Sequence, residues 1–122
     1  MRMSQKKNEQ RLLFSNLVKV EKYFERLKGL ITKSSISERD AYWFNNCSSI
    51  HMFGMSFSID VIFLSKELQV VKLVENLKPW RVALSTKAKS ILEVKSGQCE
   101  ALGLRVGDQL NFSEAGVLYA HR

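Results

Sequence analysis

Residues Ser48 to Val74 read SSIHMFGMSFSIDVIFLSKELQVVKLV. Within this stretch, Ile59 to Leu64 is apolar except for Asp60, the polar pair Lys66 and Glu67 interrupts, and a second apolar run extends from Leu68 to Val74. Both runs are rich in β-branched residues and too short for globular helices. They predict a β-hairpin whose first strand is buried on both faces. The rest of the chain is expected to pack in layers on that hairpin.

Upstream, Arg11 to Val20 (RLLFSNLVKV) alternates as a first strand, with Leu17 and Val18 breaking the strict period. Glu21 to Leu30 places Tyr23, Leu27 and Leu30 at helical spacing with Gly29 near the end, which predicts a short helix. Ala41 to Phe44 is a short aromatic strand, Asn45 and Asn46 turn the chain, and Cys47 to Phe53 leads to Gly54, the mark of a bulge or bend. The single proline, Pro79, lies in a connection with Trp80 and Arg81. Downstream, Lys89 to Lys95 reads as a strand and Gln98 to Leu102 as one helical turn ended by Gly103. Gly107 and Asp108 turn into the strand Gln109 to Phe112, and Val117 to Ala120 makes a last short strand. The expected fold class is mainly β: a small β-sandwich or partly closed barrel of about seven or eight short strands with one or two short helices.

The chain has 122 residues, enough for one hydrophobic core and too few for two. The expected organisation is a flexible basic N-terminus over 1–10 and a single β-rich domain over 11–122. With 45% apolar and 25% charged residues, the composition is that of a globular protein and excludes a disordered one. No window approaches the ~18 uninterrupted apolar residues that a membrane helix needs. The charged start MRMSQKKNEQR is not followed by an apolar segment, so the expected address is the cytoplasm. The formal net charge is +7. Arg2, Lys6, Lys7 and Arg11 against Glu9 supply +3 of it, and the rest is scattered singly. A nucleic-acid surface needs a clustered basic stripe with interleaved aromatics, so nucleic acid is only an alternative partner.

Polar residues inside apolar runs are the candidate functional groups. Asp60 shares a strand face with Ile62 and Leu64, and Glu93 shares one with Ile91. A buried carboxylate must find donors or take up a proton. The pair reads either as a general acid and base, with His51, or as structural groups, one holding loop amides and the other paired with Arg26 or Arg81. His51, Met52 and Met55, with Cys47 upstream, have the softness of copper ligands. Core packing accounts for the methionines more simply, and a backbone carbonyl for the histidine. Cys47, Cys99, His51 and His121 lack metal-ligand spacing. No metal, cofactor or catalytic residue is assigned. Trp80 reads as an aromatic that stacks on a ligand ring or as a lid over one end of the core.

These segments together resemble the domain of unknown function 192 family, an uncharacterised group of small, mainly β proteins. The likeness runs from about Val18 to Leu110. It rests on Arg26 to Leu30, Cys47 to Met55, Phe57 to Leu64, Pro79 to Arg81, Ile91 to Val94 with Gly97, and Gly103 to Asp108, in that order. Ser58 stands where the family usually has proline, and Met52 where it often has threonine. Many relatives carry an export signal or membrane anchor; others, similar to this chain, are encoded near pilus-assembly or secretion genes. The resemblance implies a fold and leaves the activity open. The functional expectation is a non-enzymatic binding or accessory module for a small molecule, glycan or polypeptide. Its ligand-binding residues are His51, Gly54, Met55, Asp60, Trp80 and Glu93. The alternatives are an enzyme using Asp60, Glu93 and His51, and a weak nucleic-acid binder.

Overall fold

The computed structural model describes residues 10–20 and 35–121. Its central element is β5 (Ile59–Leu64), buried at every position, as a strand covered on both faces must be. Antiparallel β6 (Val70–Leu77) lies on one side of it and antiparallel β8 (Ser90–Lys95) on the other. β3 (Asp40–Asn45) pairs with β8, and β2 (Asn16–Val20) runs parallel to β3 at the edge. The resulting five-stranded order is β2-β3-β8-β5-β6.

Alternation along β5 sends its side chains into two cores. Ile62 and Leu64 join Leu92, Val94, Ala41 and Phe14 in the first. A three-stranded sheet of β1 (Arg11–Phe14), β10 (Gly116–His121) and β9 (Gln109–Ser113) contributes Leu13, Leu110 and Val117 to the same core. Ile59, Val61 and Phe63 enter the second core with Ile91, Met52 and Met55. The ribbon of β4 (Ser49–His51) and β7 (Val82–Leu84) supplies Ile50 and Ala83 there. The architecture is an open, sandwich-like stack of sheets, not a closed barrel.

The expected single strand from Arg11 to Val20 is two strands in different sheets, divided at Ser15. The chain crosses between layers at Ser15, whereas Leu17 and Val18, where the alternation breaks, sit inside β2 opposite Ala41 and Tyr42. The strand β7 was not expected, and with the divided strand it raises the number among the described residues to ten. The helix α1 (Gln98–Leu102), ended by Gly103, is found where expected. The helix expected over 21–30 and the basic segment 1–9 lie outside the described residues. No helix among the described residues is long and apolar enough to cross a membrane.

Candidate functional site

Two tight turns meet at one end of the β4–β7 ribbon. In the first, the Met55 N–H donates to the Met52 carbonyl at 3.3 Å, with Gly54 at φ 81 in the third position. In the second, the Arg81 N–H donates to the Lys78 carbonyl at 3.2 Å, with Pro79 second and Trp80 third. Proline second and a positive φ third is the type II pattern, whose third position favours glycine. Trp80 occupies it at φ 69. A non-glycine residue held there costs of order 1–3 kcal/mol. The turns are tied together: the Trp80 N–H donates to the Met52 carbonyl at 2.9 Å, and the Met52 N–H to the Arg81 carbonyl at 2.8 Å.

This pairing sets three rings in a row. His51 stacks on Phe53 with centroids 4.8 Å apart, and Phe53 on Trp80 at 5.7 Å, both at 29°. Trp80 is 67% exposed, so its backbone strain holds an indole in solvent. Val82 and Leu84 point outward from β7 beside it, while Ala83 between them is buried. Phe53, Trp80, Val82 and Leu84 are four of the six large exposed apolar residues among those described. Their concentration on one small ribbon makes a patch of them rather than scatter.

The other candidate residues are dispersed. Met55 is buried in the second core, and Gly54 is an exposed turn position. Asp60 points toward the first core, where its carboxylate accepts backbone N–H bonds from Asn76 at 2.8 Å, Gly97 at 3.1 Å and Cys99 at 3.0 Å. Gly97 is the N-cap of α1, so Asp60 caps that helix from another strand. The Asn76 N–H is free to reach it because the β5–β6 ladder slips between Ile59 and Val61. Burial, and then the neighbouring Asp60 carboxylate, push the Cys99 thiol well above its usual range, which keeps it protonated.

Glu93 is fully buried and lies opposite Val61 in the β5–β8 register, on the sheet face away from Asp60. An acid and base pair of Asp60 and Glu93 therefore has the sheet between its members. Arg81 is exposed at the ribbon, and Arg26 lies outside the described residues. Cys47 and Cys99 are free thiols packed in different cores. No group of three potential metal ligands occurs among the described residues.

Sequence reading missed Phe53, Val82 and Leu84. Phe53 beside Gly54 looks like any turn-flanking core aromatic, and a three-residue strand is too short to show alternation.

The turns that build this corner, Cys47 to Met55 and Pro79 to Arg81, lie within a longer stretch that matches a known family. A family model, domain of unknown function 192, described as "Uncharacterized ACR, COG1430", matches residues 4–112. The chain belongs to this family. A UPF0127 protein of Thermococcus sibiricus is 33% identical over 95 residues, spanning 74% of this chain and 61% of that relative. A UPF0127 protein of Pyrococcus furiosus is 43% identical over 67 residues, spanning 54% of this chain and 57% of that one. This member of the family thus spans only 57–61% of the length of these curated relatives. Among solved structures, a candidate transcription regulator from Sinorhizobium meliloti superposes with a TM-score of 0.67 at 20% identity, covering 78% of each chain. A protein of unknown function from Novosphingobium aromaticivorans superposes with a TM-score of 0.63 at 20% identity, covering 76% of this chain and 70% of that one. Likeness at that level of identity bears on the family fold alone.

Proposed function

We propose that this domain is a non-enzymatic binding module that docks an extended polypeptide on the β4–β7 ribbon, along Phe53, Trp80, Val82 and Leu84. The observation that carries this reading is Trp80, held in a glycine-favouring turn position while 67% exposed. Strain kept at an exposed aromatic is a mark of recognition sites. A polypeptide fits better than a glycan, because Phe53 has its faces taken by His51 and Trp80. Trp80 in turn stands beside the exposed aliphatic side chains of Val82 and Leu84, which favour apolar side chains over a polar sugar. Exposed Lys78 and Arg81 flank Trp80, so the segment it takes carries apolar residues beside acidic ones. His51 and Gly54 support this surface, whereas Asp60, Glu93 and Met55 serve the fold beneath it. Recognition of a polypeptide also suits the association of similar proteins with pilus-assembly or secretion genes, which rests on family resemblance alone.

The test is an array of synthetic extended peptides, varied in apolar and acidic content, probed beside a glycan array with wild type and Trp80→Gly. The expected result is binding to apolar peptides with acidic flanks, lost in the variant, and a silent glycan array. Peptide binding that the variant retains in full, or signal on glycans alone, overturns the reading.

A further inference from the structure

At the far end of β3 from Asp40, on the sheet face that carries the first core, there is a cavity of about 440 Å³. Trp43 and Phe112 form its aromatic wall, meeting edge to face at 5.2 Å and 84°. Leu68 adds an aliphatic side, and Lys66 and Lys89 stand at the cavity with no acidic residue among its described lining. The volume lies within the range of small-molecule sites.

Two further features set this cavity apart. The indole N–H of Trp43 and the hydroxyl of Ser90 belong to its lining residues, are closed off from solvent, and have no hydrogen-bond partner among the described residues. A buried polar group left unsatisfied is costly, so each favours an incoming partner. The cavity is also flanked by backbone in the left-handed region, Asn46 at φ 53 and Leu68 at φ 68. Asn tolerates that conformation, but a leucine there is strained. Hydrogen bonds clamp the strained hairpin: Leu68 N–H to the Ser65 carbonyl at 3.0 Å, and Leu110 N–H to the Leu68 carbonyl at 3.0 Å.

We infer that this cavity is a binding site for a small aromatic carboxylate. The ring lies along Trp43 and Phe112, and the carboxylate is drawn by Lys66 and Lys89. A small side-chain rotation at the wall then lets an acceptor on the ligand meet the Trp43 N–H or the Ser90 hydroxyl. Two cations and no anion among its described lining residues discriminate against neutral and cationic rings of the same shape. The site is separate from the β4–β7 ribbon, since Trp43 faces the first core and the ribbon covers the second.

The experiment titrates isotope-labelled full chain with naphthalene-carboxylate, and in parallel with the neutral naphthalene-carboxamide, following the indole N–H resonances by NMR. Trp43→Phe assigns the two indole peaks. The expected result is a saturable downfield shift of the Trp43 peak with a Kd tighter than about 1 mM. The carboxamide, and the double variant Lys66→Gln/Lys89→Gln, should bind at least about tenfold more weakly. Both lysines are exposed, so the double variant should keep the wild-type spectrum in the absence of ligand. A Trp43 peak that does not saturate overturns the inference, as do equal affinities for acid and amide. A shift confined to the Trp80 peak also overturns it and points to the peptide surface instead.

Discussion

The carboxylate of Asp60 on β5 accepts the backbone N–H of Cys99 in α1 at 3.0 Å, joining residues 39 positions apart. The same carboxylate holds Asn76 and Gly97, so one acid ties the central hairpin to the strand β8 and its following helix. An acid in an apolar run is here a structural clamp, its two oxygens met by the backbone amides of Asn76, Gly97 and Cys99.

Asp60→Ala should destabilise the domain by about 3–5 kcal/mol, since it strands three N–H groups in or near the core. Asp60→Asn should cost less, about 1–3 kcal/mol, because one amide oxygen still accepts but without charge. Urea unfolding of the three proteins measures the order. A loss below about 1 kcal/mol for the alanine variant would contradict the clamp.

Stability should fall as pH rises above 9.0, the ordinary thiol value, because Cys99 holds its proton more tightly folded than unfolded. The sign follows from linkage: above that pH the unfolded chain releases a proton that the folded chain keeps, so alkali favours unfolding. The slope from one thiol is at most about 1.4 kcal/mol per pH unit. Cys99→Ser should flatten that part of the profile, read as Tm between about pH 8 and 10. A wild-type and variant profile that run parallel would remove Cys99 as the cause.

Thiol labelling should be sequential. Half-buried Cys47, whose thiol donates to the Ser49 carbonyl at 3.1 Å, should react with a maleimide in the folded protein. Cys99, 1% exposed and kept protonated, should react only on unfolding. Mass spectrometry of the native protein should therefore find one label; two labels at equal rates would refute the burial.

Trp80→Gly should leave the domain as stable or stabilise it by up to about 1 kcal/mol. Relief of a left-handed tryptophan outweighs the added freedom of the unfolded glycine. Peptide binding should be lost at the same time. Thermal unfolding checks the first half, and a Tm lowered by several degrees would show that the indole is a structural lid.

Gly116→Ala should be among the most damaging single changes. A Cβ at this position, φ 127, would lie 2.0 Å from the Phe14 carbonyl oxygen, which is backbone and cannot yield. The β1–β10 pairing must open to admit it. Gly97→Ala is the control: its φ is 94 but nothing lies within 4 Å, so only backbone strain of order 1–2 kcal/mol should appear. Equal losses for the two variants, measured by denaturant midpoint, would refute the close approach.

The central hairpin, the strand β8 and the turn of helix α1 were legible in the sequence, because alternation, β-branching and glycine stops act over a few neighbouring residues. The division of the first strand at Ser15 and the short strand β7 were not, since both depend on which sheet offers a partner. Asp60 and Glu93 could be picked out as buried acids from their apolar neighbours. That they occupy opposite faces follows only from register, in which Asp60 meets Val94 and Glu93 meets Val61. The aromatic row of His51, Phe53 and Trp80 and the cavity beside Trp43 were decided wholly by tertiary structure. Each joins segments distant in the chain, and a local pattern of side chains holds no record of where a remote turn will place a ring.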